Sequence, residues 1–177
     1  IPPARKVALA VVLRTQSLQG TDFSNPAAVL NQLNYVFPME RQNNLLFTLW
    51  YGVFDRGTWE LTYASGGHPP AVLLGDRATP MQKLSTGGRV LGCDPAAAYR
   101  NESCKIAHGQ RLYVFSDGAY EIAGPAGPTA QLSDLLQQLE LPVAAGGSKL
   151  DDLVRWAQAT RGQLALEDDM SILEVEF

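Results

Sequence analysis

The stretch LLFTLWYGVFDRGTWELTYASGGHPPAVLL, residues 45–74, decides the fold class. Residues 45–55 form a long apolar and aromatic run that ends at Asp55. Arg56-Gly57 is a turn signal. Beyond it Trp59, Leu61 and Tyr63 alternate with polar residues, the period of a strand with one buried face. Together these runs predict a β-hairpin. Ser65-Gly66-Gly67-His68-Pro69-Pro70 predicts a loop, because adjacent glycines and prolines disfavour both helix and ladder. Residues 71–74 follow as a short apolar strand.

Strands are expected downstream over 81–84, 99–106 and 111–116, with His108-Gly109 turning the chain between the last two. A short helix is expected around 131–139 and a loop at 142–147. Ser148 caps a further helix that carries Leu150, Leu153, Val154 and Ala157 on one face. Residues 170–177 alternate, with Leu173, Val175 and Phe177 on one side and Glu174 and Glu176 on the other, which predicts a strand with one wet face. Upstream, Ser24 or Asn25 caps a helix with Pro26 in its first turn, apolar at Val29, Leu30, Leu33, Val36 and Phe37 and stopped by Pro38. Periodicity over 7–13 allows strand or helix. The alanines at 8 and 10, the continuation to Leu18 and the opening Pro2-Pro3 favour a buried helix. Hairpins joined by segregated helices favour an α+β layered fold over a doubly wound parallel sheet.

The chain has 177 residues, a length expected to fold as one domain over 1–177. Its hydrophobic fraction of 46% and charged fraction of 18% are those of a globular chain with a core, not of a disordered one. Lys and Arg number 14 against 18 Asp and Glu, a net charge of −4, which disfavours nucleic acid as a partner. The longest apolar run, 7–13, is too short for the roughly 20 residues of a membrane helix, so no membrane insertion is expected. Cys93 and Cys104 match no metal-ligand spacing and read as free thiols of a cytoplasmic protein.

Two acidic sites carry the chemistry. Ser116-Asp117-Gly118 follows the apolar run Leu112-Tyr113-Val114-Phe115, so a carboxylate stands at the end of a buried strand. The glycine beside it lets the chain turn and a ligand approach. Taken alone, this is also an ordinary Asp-Gly turn. Glu167-Asp168-Asp169 precedes the last strand, as a solvated loop or as a cation site. Both place aspartates at strand boundaries, and antiparallel neighbours can bring them together. Carboxylate oxygens suit hard cations such as magnesium or manganese. A pair of such ions can activate water and clamp a phosphoryl oxygen. His68, in the Gly-Gly-His-Pro-Pro loop, reads as a residue that shapes the turn.

The ordered set Phe47-Thr48-Leu49-Trp50-Tyr51-Gly52-Val53, Tyr63-Ala64-Ser65-Gly66-Gly67-His68-Pro69-Pro70, Val90-Leu91-Gly92, Tyr113 to Glu121 and Asp168-Asp169-Met170-Ser171 resembles the SpoIIE/RsbU-type branch of the metal-dependent protein phosphatase 2C-like superfamily. The resemblance implies two stacked antiparallel sheets flanked by helices. It implies two manganese or magnesium ions held by Asp117, Asp168 and, less directly, Asp169, with Gly118, Gly67 and His68 shaping loops near the site. It implies that water activated by the metals hydrolyses phosphoserine or phosphothreonine on a protein, such as an anti-sigma-factor antagonist, without a protein nucleophile. An upstream sensor or receiver domain is expected too, this chain being its C-terminal output domain.

The family's Gly-Asp…Gly-His-Gly segment has no counterpart here, so the first strands of the sheet are expected to be missing. A catalytically inactive relative acting as a protein-binding adaptor is the alternative. An unrelated α+β binding domain with solvated acidic loops is a third reading.

Overall fold

The computed structural model describes residues 6–9, 18, 20–41, 46–75, 79–123, 130–143, 146–162 and 170–177. The chain divides into two compact units, residues 1–110 with Phe177 and residues 111–176. The strands belong to two antiparallel sheets accompanied by helices.

In the first unit the described strands and helix are β1 (Lys6–Leu9), α1 (Pro26–Val36), β2 (Leu49–Asp55), β3 (Glu60–Gly66), β4 (Ala71–Leu74), β5 (Gln82–Leu84) and β6 (Glu102–Lys105). One sheet has the order β1-β2-β3-β6. The expected hairpin forms β2 and β3, in the register Phe54↔Leu61 and Asp55↔Glu60. The Gly57 amide donates to Asp55 Oδ1 at 2.8 Å and closes the turn.

Three sequence expectations change here. Trp59 lies in the turn rather than the strand, with a left-handed φ of 53°. Such a φ costs about 1–3 kcal/mol for a residue other than glycine. The Trp59 ring packs on Phe54 and His108, at centroid distances of 5.8 and 5.3 Å, and this packing opposes the cost. Residues 6–9 form β1, paired with β2 from Lys6↔Asp55 to Leu9↔Gly52, where a helix was favoured. A short apolar stretch has no decisive period, and the open ladder of β2 decides its conformation. Residues 10–17, also assigned to that helix, lie outside the described residues.

The third change is that the strand expected over 99–106 shrinks to β6. Residues 99 and 101 bond to α1 instead: the Tyr99 amide donates to Asn31 Oδ1 at 3.1 Å, and the Ala27 amide to Asn101 Oδ1 at 2.7 Å.

Helix α1 starts as its sequence predicts. Asn25 Oδ1 accepts from the Ala28 amide at 3.2 Å and Pro26 occupies the first turn. Val29, Leu30 and Leu33 pack with Tyr51, Val53, Ala64, Leu91 and Tyr99. Fully burying each such aliphatic contributes about 1.5–3 kcal/mol. Trp50 is buried as well: its Nε1 donates to the Leu84 carbonyl at 2.9 Å and its ring stacks on Tyr63.

The second unit holds β7 (Arg111–Phe115), α2 (Leu132–Glu140), α3 (Lys149–Arg161) and β8 (Ile172–Glu176). Strands β7 and β8 pair antiparallel from Arg111↔Glu176 to Phe115↔Ile172. Leu135, Leu136 and Leu139 are the buried face of α2. Helix α3 is capped by Ser148 Oγ, which accepts from the Asp151 amide, and ends at left-handed Gly162.

Its inner face is Lys149, Leu153 and Ala157, spaced at i, i+4, i+8. Val154, expected on that face, is exposed because one residue further turns the side chain by 100°. The Lys149 ammonium donates to the carbonyls of Gln138 and Leu141 at the end of α2, and burial pushes its pKa down.

On β8 the wet face is also revised. Leu173 is 48% exposed, whereas the Glu174 side chain is only 22% exposed. Tyr113, opposite Glu174 in the ladder, hydrogen-bonds the carboxylate, and the Arg111 guanidinium lies 3.9 Å from it. Among the described residues no helix is long and apolar enough to cross a membrane.

Candidate metal site

Strand β7 ends at Phe115, and the chain leaves it through a single 3-10 turn, Asp117–Ala119. Phe115, Gly118 and Ala119 are buried while Asp117 is exposed, so a rigid strand end holds a carboxylate facing solvent. The Asp117 carbonyl accepts the amides of Tyr120 and Glu121, both at 2.9 Å, and its Oδ1 accepts from the Gly118 amide at 3.1 Å. Gly118 does this without a left-handed φ; its burial in the turn, rather than conformational freedom, is what the structure uses. Burial, with the charges of Glu121 and Asp117, pushes the Tyr120 hydroxyl up.

The ladder of β7 and β8 continues one pair beyond Phe115↔Ile172. The Ser116 amide donates to the Ser171 carbonyl at 3.0 Å, and the Ser171 amide donates to Ser116 Oγ at 3.0 Å. The strand end that carries Asp117 is thereby tied to the residue two places after Asp169. Asp168 and Asp169 themselves lie outside the described residues. Sequence reasoning missed the Ser116–Ser171 pair; the signal was the serine that precedes Asp117.

Gly67 and His68 belong to the first unit. Gly67 has a φ of +66°, and a Cβ there would lie 2.5 Å from Val90 Cγ2. Its amide donates to the Gly88 carbonyl at 2.8 Å. His68 Nδ1 lies 2.9 Å from the Pro69 carbonyl, a contact internal to the loop. A buried hydroxyl pair also went unread in the sequence. Ser65 and Thr86 exchange amide-to-hydroxyl bonds of 2.9 Å in both directions, which fixes the start of this loop.

Aspartate oxygen at the end of β7 is the donor chemistry that magnesium or manganese takes. Among the described residues no group of three or more His, Cys, Asp or Glu side chains gathers to hold a metal. Asp117 is the one of the three expected acidic ligands that they include.

Two antiparallel sheets accompanied by helices match the layered fold of protein phosphatase 2C-like domains. The solved structures bear this out at the level of fold. The SiaA-PP2C domain of Pseudomonas aeruginosa superposes with a TM-score of 0.70 at 20% identity, over 91% of this chain and 64% of that one. The PP2C phosphatase domain of SpoIIE from Bacillus subtilis, with a fragment of its regulatory domain, gives 0.69 at 18% identity, over 85% and 44%. RsbX in complex with magnesium gives 0.53 at 13% identity, over 83% and 61%.

The chain belongs to the Stage II sporulation protein E (SpoIIE) family, whose model matches residues 5–177. Phosphoserine phosphatase RsbU of Bacillus subtilis (strain 168) is 28% identical over 97 residues, which are 55% of this chain and 29% of RsbU. The match thus spans under a third of that relative.

Proposed function

We propose that this chain is a metal-dependent protein phosphatase domain that hydrolyses phosphoserine or phosphothreonine on a protein partner in bacterial signalling. The observation that carries the reading is the Ser116–Ser171 pair, which ties the strand end bearing Asp117 to the segment just after Asp168-Asp169. Asp168 and Asp169 precede Ser171 by three and two residues, and a trans chain advances at most about 3.8 Å per residue. All three acids are then candidates to serve one site. Family membership and the RsbU relative, named a phosphoserine phosphatase, support the same activity.

Asp117, Asp168 and Asp169 would hold two manganese or magnesium ions, a divalent requirement consistent with RsbX being solved with magnesium. When bound, such ions lower the pKa of water and neutralise charge on the phosphoryl oxygens. The chain's own part is to fix the Asp117 carboxylate on a rigid element and expose it to a phosphorylated side chain. Gly67 and His68 keep their loop tight. The substrate class is a phosphoprotein such as an anti-sigma-factor antagonist. The domain acts in the cytoplasm as the output end of a longer protein with an upstream sensor or receiver domain.

The test is phosphate release from a phosphoserine protein by the parent protein, with manganese or magnesium, beside Asp117→Asn. Activity that requires metal and falls at least ~100-fold in the variant is expected. A folded parent inactive with both metals would overturn the reading and favour a protein-binding adaptor.

A further inference from the structure

We infer that residues 92–101 form a strap that grips α1 at both ends, so that helix and strap dock and open as one unit. The strap carries neither helix nor strand of its own. It starts after Leu91, whose amide donates to the Phe47 carbonyl at 3.1 Å, and stops where β6 begins at Glu102. Between these points it runs antiparallel to α1. Gly92 and Asp94 bond Asn34 near the end of the helix, the Tyr99 amide bonds Asn31, and Asn101 bonds the helix start.

Each end of the helix leaves a different group to the strap. The first amides of a helix have no partner within it. Asn25 Oδ1 serves the Ala28 amide, and Asn101 Oδ1, 74 residues along the chain from Ala27, serves the Ala27 amide at 2.7 Å. Asn101 Nδ2 also donates to Asn25 Oδ1 at 2.8 Å and so orients the cap itself. At the far end, the Met39 amide in the chain leaving α1 donates to the Gly92 carbonyl at 2.9 Å.

Neither piece has the means to hold its shape alone. Helix α1 has 11 residues, fewer than the roughly 12–15 at which an isolated helix becomes even marginal. Two of them, Asn31 and Asn34, are poor helix formers because their side chains compete for backbone groups. Here both side chains bond the strap. The Tyr99 ring is buried in the same cluster as Val29, Leu30 and Leu33, so displacing strap or helix exposes apolar surface on the other. Anything that shifts α1 then shifts the strap with it, independently of the metal site.

The experiment is native-state amide exchange in low urea, followed by NMR on the parent protein, for the wild type and Asn101→Ala. In the wild type the amides of Ala27, Tyr99, Gly92 and Met39 should share one opening free energy and one urea slope, both below those of the β2–β3 ladder. In Asn101→Ala, Gly92 and Met39 lie at the end of the helix far from the substitution. Both should exchange about tenfold faster, the scale of one lost cap, and by the same factor as Tyr99. Gly92 and Met39 at their wild-type rates in the variant would mean that the two ends open separately, and would overturn the single unit. Wild-type opening energies and slopes equal to those of the β2–β3 ladder would overturn it too, because helix and strap would then open only with the sheet. These wild-type slopes decide the matter even if Asn101→Ala fails to fold.

Discussion

Asn34 Oδ1 accepts the Gly92 amide at 2.8 Å, and this one bond joins the last turn of α1 to the Val90-Leu91-Gly92 loop. Asn34 is buried at 3% exposure, and its Nδ2 donates to the Asp94 carbonyl at 2.9 Å. The Gly92 carbonyl in turn accepts the Met39 amide at 2.9 Å, so both backbone groups of Gly92 are held by the helix or the chain leaving it.

Replacing Asn34 with leucine keeps the branched outline of the side chain and removes the pairing. A buried amide and a carbonyl then lose their partners, at a cost of about 2–3 kcal/mol. Urea unfolding of Asn34→Leu should show a lower midpoint with an unchanged slope. A loss below about 0.5 kcal/mol, the range of an ordinary surface change, would mean that the bond contributes little.

Gly92 and Gly109 share nearly the same backbone, with φ of +82° and +81°, and differ in their surroundings. A Cβ at Gly92 would meet the Phe37 carbonyl oxygen at 2.4 Å, while one at Gly109 meets nothing within 4 Å. Gly109→Ala should cost only the left-handed penalty, about 1–2 kcal/mol. Gly92→Ala should cost clearly more, about 3 kcal/mol or above, because the helix exit must move. Equal losses in the two variants would show that contact with Phe37 is relieved without strain.

The Tyr63 hydroxyl is pushed up to about 12, first by burial and then by the Glu102 carboxylate, whose Oε2 accepts from it at 3.3 Å. Unfolded tyrosine loses its proton near 10, so between about 10 and 12 the folded chain binds more protons than the unfolded one. The stability this provides is complete below about pH 10 and declines as pH rises toward 12. Tyr113 is pushed in the same direction by burial and Glu174 and adds to the decline. Tyr63→Phe should therefore flatten, without abolishing, the fall in urea midpoint between about pH 10 and about pH 11.5. An unchanged slope in the variant would remove Tyr63 from the account.

Local rules made much of this protein legible in its sequence. Asn25-Pro26 announces α1, Ser148 announces α3, and the alternation around Arg56-Gly57 announces the β2–β3 hairpin, because caps, proline and side-chain period act within a few residues. The ordered motifs pointed to the family, and Asp117 stands at the strand end where its sequence put it. Asn34 offered no such signal. An asparagine in a helix is read as exposed or as a cap, and only the loop that returns to it some 60 residues later supplies partners for its amide.

The sequence by itself determined the hairpin, the helix starts and the strand that delivers Asp117, all of which rest on interactions between near neighbours in the chain. Tertiary structure alone decided the rest. It made residues 6–9 a strand because β2 offers an open ladder, and it shortened β6 because Tyr99 and Asn101 bond to α1. It turned Glu174 inward because Tyr113 and Arg111 wait across the ladder. It also brought the Ser171 amide onto the Ser116 hydroxyl, a pairing across 55 residues that no local rule announces. In each case the deciding group is a hydrogen-bond partner distant in sequence, and a backbone or side chain bonds to whichever partner folding brings within about 3 Å.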